Sequence, residues 1–115
     1  MIAFLSIALF STVSAATIAD ADTARVAYSN CLVDFTTAQL DEKIGAGPFK
    51  KSASAVCLDE RAAMIAAIKK DEMEFGSSAS EANQFATEEA DGVLFSFTDA
   101  YAGYANTSTR PVKEE

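Results

Sequence analysis

The pair of cysteines constrains the fold of this chain more than any other feature. Cys31 and Cys57 are the only two cysteines, and they follow an apolar leader. An even number of cysteines in an exported chain predicts a disulfide. Closing a loop of about 26 residues restricts the unfolded chain and stabilises the folded one by roughly 3–4 kcal/mol. We therefore expect the segments around these two residues to be neighbours in the folded protein.

Residues 1–16 have the pattern of a cleaved signal peptide. An uncharged apolar stretch at residues 2–10 precedes small residues that fit cleavage after either Ala15 or Ala16. The apolar stretch is too short for a membrane-spanning helix, which needs roughly 20 residues. The leader therefore predicts a periplasmic or secreted protein with no stable membrane insertion after cleavage.

The rest of the chain has the composition of an all-α domain. It lacks runs of β-branched residues and is rich in alanine, the strongest helix former. Its glycines and prolines, apart from Gly92, lie where helices would break. The apolar periodicity predicts an all-α domain over residues 17–105 with three helices, at about residues 20–43, 48–75 and 79–102. The first two form an antiparallel hairpin, the amphipathic third lies across it, and residues 106–115 form a disordered polar tail.

Local signals mark the ends of these helices. Asp20 or Asp22 can cap the first helix, Gly45 can end it, and Pro48 suits the first turn of the second. Gly76 can end the second helix, and the run Ser78-Ala79-Ser80-Glu81 is a capping box for the third. The interior Gly92 permits a kink or a close approach by a neighbour.

The predicted helices leave a problem of register for the disulfide. Cys31 lies about twelve residues before the end of the first helix, and Cys57 lies about nine residues into the second. In an antiparallel hairpin the two cysteines would therefore be offset along the helix axes by about 4–5 Å. The disulfide therefore requires helices that cross at an angle or a loop that is asymmetric. The first helix also has a second apolar stripe, Val26, Val33 and Leu40, opposite the one that contains Cys31. This stripe is either covered within the chain or kept for a partner.

The negative charge is concentrated in one segment. The net charge is −8, and no basic residue lies between Lys70 and Arg110. A strongly acidic chain is not expected to bind nucleic acid or anionic membranes. The acidic segment is either a solvated face that maintains solubility or a surface for a cationic partner.

The outer side of the third predicted helix is the candidate partner surface. Its members are Phe85, Glu88, Phe95 and Asp99. They would face a protein with a cationic or apolar surface, and a homodimer is a further option. Alternatively, the two phenylalanines tuck under a bend or under the tail.

The absence of histidine excludes most enzymatic chemistry. Without it the chain has no serine triad, no cysteine–histidine pair and no usual zinc or iron ligand set. Adjacent acids such as Asp59 and Glu60 point about 100° apart on a helix and do not converge. We expect no catalytic residue, no metal site and no cofactor.

Arg61 falls inside the apolar arc of the second predicted helix. Its stem either packs on the core while its head reaches water or an acid such as Asp34, or its guanidinium binds an anionic ligand. In the second case, Tyr28 and Tyr101 would contact the same ligand between the helices. The sequence thus predicts a non-catalytic binding protein, with a small-ligand carrier as the alternative.

Overall fold

The computed structural model describes residues 19–115, which form four α-helices and no strand. The helices are α1 (Ala21–Asp41), α2 (Ala46–Ala53), α3 (Leu58–Glu74) and α4 (Ala79–Thr107). The all-α prediction is confirmed. The prediction of three helices is wrong in one respect, because the second predicted helix is interrupted at residues 54–57 and becomes α2 and α3. The predicted signal peptide at residues 1–16 lies outside the described residues.

Helices α1, α3 and α4 pack against one another, and α2 packs on α1 and α4. The start of α3 is bonded to the middle of α1, whereas Asp71 near the end of α3 lines a cleft with Asp22 at the start of α1. Helix α3 therefore runs antiparallel to α1 and lies against its first half. Helix α2 packs beside the second half of α1. No helix within residues 19–115 is both long and apolar enough to cross a membrane.

The predicted disulfide is confirmed, and it lies at the junction of α2 and α3. The Cα atoms of Cys31 and Cys57 are 6.0 Å apart, within the range that a disulfide requires. Cys57 has a left-handed backbone with φ of 57° and precedes the first residue of α3. The hydroxyl of Ser54 donates to the carbonyl of Lys51 at 2.7 Å, which competes with helical bonding. The interruption removes the offset in register that one continuous helix would have imposed.

Two of the predicted helix starts are confirmed by their caps. The carboxylate of Asp20 accepts a hydrogen bond from the backbone N–H of Thr23 at 2.8 Å. This bond and a second one from the Thr23 hydroxyl lower the pKa of Asp20, because both favour the ionised form. The hydroxyl of Ser78 accepts from the N–H of Glu81 at 3.2 Å at the start of α4. Both caps involve neighbours within one turn.

The predicted end of the first helix is wrong in its detail. Helix α1 ends before Gly45, and Lys43 takes the left-handed conformation with φ of 57°. Gly45 instead is the N-cap of α2 and has an extended backbone. Gly76 does end α3, as predicted, with φ of 103°.

The part of the core that contains α2 is built on stacked aromatic side chains. Phe49 of α2 is fully buried and stacks on Tyr101, with ring centroids 3.9 Å apart, and on Phe35, with centroids 5.8 Å apart. The hydroxyl of Tyr101 donates to the carbonyl of Ile44. Burial raises the pKa of Tyr101, and the nearby charge of Arg110 partly offsets this effect. These contacts fix α2 in place between α1 and α4.

The polar tail lies along α1. Helix α4 continues to Thr107, which is beyond the predicted end at residue 102. Three ion pairs then join the tail to α1, Arg110–Asp41 at 2.9 Å, Lys113–Asp34 at 2.9 Å and Glu114–Arg25 at 3.0 Å. Asn30 also exchanges two hydrogen bonds with the backbone of Glu114, at 2.8 and 2.9 Å. Exposed ion pairs of this kind stabilise a fold by about 0.2–1 kcal/mol each.

The second apolar stripe of α1 is covered largely within the chain. Val33 and Leu40 are both buried, and Val26 is half-buried. Of the two options that the sequence left open, the structure therefore favours internal coverage, and α1 offers no continuous apolar face to a partner.

Gly92 provides a test of the packing around α4. The helix runs through it without interruption, and a Cβ atom added there would meet no neighbour within 4 Å. The sequence allowed a kink or a close approach at this position, and the structure shows no close approach. We expect Gly92→Ala to raise the free energy of unfolding by about 0.5–1 kcal/mol, because alanine loses less backbone entropy on folding. Urea denaturation measures this change.

The control for this prediction is Gly76→Ala. Gly76 also has open space around it, but its φ of 103° strains any other residue. We expect this substitution to lower the free energy of unfolding by roughly 1–2 kcal/mol. If Gly92→Ala also destabilised the protein, the outer side of α4 would have a packing role that the structure does not contain.

Candidate binding groove between α2 and α4

A shallow groove of about 560 Å³ lies between α2 and α4 and is widely open to solvent. Its volume lies within the range of about 300–1,000 Å³ that is typical of small-molecule sites. Most of its lining surface is apolar. The lining residues are Gly47, Lys50, Lys51 and Ser54 from the α2 side, and Asp91, Leu94, Phe95 and Thr98 from α4.

The groove follows from the way α2 is anchored. Phe49 and Ala53 are the buried residues of α2. Lys50 and Lys51 follow Phe49 directly, so they lie about 100° and 200° around the helix from this anchor. Both lysines are therefore on the solvent side of α2, where they border the groove. On α4, residues 91, 94, 95 and 98 are spaced by three or four and share one face.

Phe95 is the main apolar feature of the groove. Its side chain is 64% exposed, although it is a large aromatic residue. Leu94 beside it is half-buried and contacts the core. The hydroxyl of Thr98 donates to the carbonyl of Phe95 at 3.2 Å, so its hydrogen-bonding donor is used within the helix. The α4 wall therefore presents mainly apolar surface to solvent.

The charges of the groove differ in sign from those of the chain as a whole. Asp91 forms an ion pair with Arg61, so its negative charge is compensated locally. Within residues 19–115, no acidic side chain forms an ion pair with Lys50 or Lys51. The groove thus carries two uncompensated positive charges on a protein with a net charge of −8.

Arg61 does not line the groove but forms an ion pair with Asp91, which does. Its side chain is 20% exposed, and its Nη2 group donates to a carboxylate oxygen of Asp91. Burial lowers the pKa of Arg61, but the bond to Asp91 and the adjacent hydroxyl of Tyr28 outweigh this effect and raise it. Its Nη1 group is buried without a hydrogen-bond partner. The acid that meets Arg61 is therefore Asp91, whereas the predicted candidate, Asp34, pairs with Lys113.

The three residues predicted to contact a ligand do not converge on one site. Arg61 and Tyr28 lie together at the level of Asp91. Tyr101 is ten residues further along α4, which corresponds to about 15 Å. Its ring packs on Phe49, and it borders a different cleft. Tyr28 and Tyr101 belong to the core, whereas Arg61 is partly exposed and pairs with Asp91.

The four residues of the predicted partner surface are all exposed on α4, but they do not form one continuous patch. Phe95 lines the groove with α2, whereas Phe85 lines a shallow cleft near the start of α1 and the end of α3. About 15 Å of helix separates the two rings. Glu88 and Asp99 lie on the outer side of α4, and two copies joined there would bring like charges together, which disfavours a homodimer through this face.

Three side chains lie close enough together to resemble a metal site, but two of them cannot bind a metal. Within the described part of the chain, ligand atoms of Cys31, Cys57 and Glu60 lie within 4.8 Å of one another. The two sulfur atoms are bonded to each other. They are therefore not thiolates, which are the form in which cysteine binds metals.

The groove itself was not predicted from the sequence, since Lys50, Lys51 and Leu94 were not singled out. One continuous helix over residues 48–75 would have placed both lysines on an ordinary solvated face. The helix break was signalled by Ser52, Ser54 and the β-branched Val56, which favour helices weakly. Comparison of the chain with protein-family models, with curated proteins and with solved structures finds no match.

Proposed function

We propose that this protein is a small exported binding protein without catalytic activity, and that it binds its ligand in the groove between α2 and α4. The observation that carries this proposal is the exposure of Phe95 in the wall of an apolar-lined groove. Exposed aromatic side chains in concave apolar surfaces are typical of interaction sites, since covering them with a ligand releases water.

The rigidity of the groove supports the proposal. Helix α2 is anchored through the buried ring of Phe49 and is followed directly by the disulfide-bonded junction with α3. A wall that is fixed before binding needs little further ordering when a ligand arrives. The filled centre of the bundle, where Tyr28 and Met64 are fully buried, favours this surface groove over a ligand enclosed between the helices.

The chemistry of the groove supports a binding role over catalysis. Its one carboxylate, that of Asp91, is paired with Arg61. The hydroxyls of Ser54 and Thr98 both donate to backbone carbonyls of their own segments. A nucleophile needs an adjacent base to be activated, and within the described residues no hydrogen bond joins the hydroxyl of Ser54 or Thr98 to a lysine or carboxylate side chain of the groove.

Export is part of the same proposal. The disulfide supports an oxidising compartment, since such bonds persist mainly outside the cytosol. Residues 1–16 would be removed as a signal peptide, which yields a periplasmic or secreted protein. Mass spectrometry of the natural protein should give an N-terminus at Ala16 or Thr17 and no free thiol. A retained leader together with two free thiols would contradict export.

Binding in the groove is tested with a neutral apolar dye, N-phenyl-1-naphthylamine, whose fluorescence rises in apolar surroundings. We expect saturable binding to the chain without its leader. Phe95→Ser should weaken this binding about tenfold, since it removes about 1.4 kcal/mol of apolar contact.

The matched control is Phe75→Ser. Phe75 is 88% exposed, more than Phe95, but it lies at the end of α3 and does not line the groove. This variant should bind the dye as the unsubstituted chain does. Equal losses in both variants, or no saturable binding at all, would contradict the proposed function.

A further inference from the structure

We infer that the groove between α2 and α4 binds a fatty-acid anion, a single acyl chain with a carboxylate head. This inference rests on the proposed binding function of the groove, and it adds the shape and the charge of the ligand. We infer the ligand by separating the polar groups of the lining that already have partners from those that do not.

The apolar strip of the groove has the shape of a chain. It follows one face of α4 from residue 91 to residue 98, a length of about 10 Å along the helix. Leu94 and Phe95 supply its apolar surface, and the groove is widely open to solvent. A linear acyl chain can lie along such a strip with part of its length in solvent, whereas a bulky ligand would project from it.

The polar groups of the lining select the head of the ligand. The hydroxyls of Ser54 and Thr98 are used in local hydrogen bonds, and Asp91 is paired with Arg61. The ammonium groups of Lys50 and Lys51 remain. Ammonium groups are donors only, and a carboxylate accepts through both of its oxygens. A ligand with one carboxylate therefore complements the charge of Lys50 and Lys51, the two charged groups of the lining that have no protein partner within residues 19–115.

A singly charged head suits this groove better than a phosphate. Phosphate sites commonly use backbone N–H groups at the start of a helix. Lys50 and Lys51 lie instead in the last turn of α2. The helix dipole gives that end of the helix a partial negative charge. The net charge of −8 also opposes a multiply charged ligand more strongly than a singly charged one.

The test uses a tryptophan reporter. The chain has no tryptophan, so Phe95→Trp places a single indole in the groove, and Phe75→Trp places one at the end of α3 as a control. Each reporter is titrated with dodecanoate and dodecyltrimethylammonium below their micelle concentrations, and with dodecanol below its solubility limit. We expect the emission of the groove reporter alone to shift, with dodecanoate binding about tenfold more tightly than dodecanol and the cation more weakly than both.

Charge-matched variants in the Phe95→Trp background test whether Lys50 and Lys51 bind the carboxylate. Lys50→Gln/Lys51→Gln should weaken dodecanoate binding about tenfold and leave dodecanol binding unchanged. Lys69→Gln/Lys70→Gln removes the same charge from α3, outside the groove, and should change neither affinity. Added salt should reduce the preference for dodecanoate, because the lysines are exposed.

The outcomes separate this inference from the proposed function. If dodecanol and dodecanoate bind equally well to the groove reporter, the carboxylate preference is overturned while the apolar groove stands. Equal losses in the two lysine pairs would also overturn it, since the effect would then be one of total charge. If no amphiphile shifts the groove reporter and the neutral dye does not bind, both the inference and the proposed function fail.

Discussion

Phe49→Ala is expected to lower the free energy of unfolding by about 3–5 kcal/mol, which is the range for removing a fully buried phenylalanine. The ring contacts both Phe35 and Tyr101, and it supplies most of the buried surface of α2. A domain of this size is stable by about 5–15 kcal/mol in total, so the variant should be close to the limit of folding. Urea denaturation followed by circular dichroism measures the change.

The control is Phe75→Ala, which removes the same ring from an exposed site. It should change the free energy of unfolding by no more than about 0.5 kcal/mol. Because Phe49 fixes one wall of the groove, Phe49→Ala should also abolish binding of the neutral dye under conditions in which the variant is still folded. A loss of stability below about 1 kcal/mol would mean that α2 is held by contacts other than this ring.

Reduction of the Cys31–Cys57 disulfide is the second large effect, with an expected loss of roughly 3–4 kcal/mol. The bond closes a loop across a sequence separation of 26 residues, and a loop of this length restricts the unfolded chain by about that amount. The loss should be measured by denaturation with and without a reductant. Hydrogen exchange should show faster opening at residues 54–57 in the reduced protein, because the bond anchors the junction there.

The matched control is Cys31→Ser/Cys57→Ser. This variant should have the stability of the reduced protein, and the reductant should not change it further. A reduced protein that keeps its full stability would show that packing alone sets the junction between α2 and α3. If the reductant destabilised the serine variant as well, the effect would not come from the disulfide.

Features that depend on neighbours in sequence were predictable. The caps at Asp20 and Ser78 involve side chains and backbone groups three residues apart, so the pattern of residue types was sufficient. The all-α class followed from alanine content and from the positions of the glycines. The disulfide was predictable because only two cysteines exist.

Apart from the disulfide, features that depend on contacts between distant residues were not predictable. The apolar periodicity continues through Ala53, Cys57 and Met64. The weak helix formers between residues 52 and 56 and the offset from Cys31 indicated a break, but neither was sufficient to locate it. The tail was predicted from its polar composition to be disordered. Its position along α1 depends on ion pairs such as Arg110–Asp41, which join residues 69 positions apart.

The groove could not be predicted from the sequence for the same reason. Its walls combine residues near 50 with residues near 95, and each set alone is an ordinary helix surface. The exposed Phe95 was identified from the sequence, but its neighbours on α2 were not. The sequence predicted a protein partner with a cationic or apolar surface, whereas the two lysines on α2 are the basis for the anionic ligand that we propose.

The disulfide-bonded junction also divides the molecule into two parts that share only α1 and α4. One part is completed by α3 and the other by α2. Substitutions of the solvent-facing lysines of α2 should therefore change the proposed binding groove without disturbing the packing of α3, whereas loss of the buried Phe49 should destabilise the whole fold.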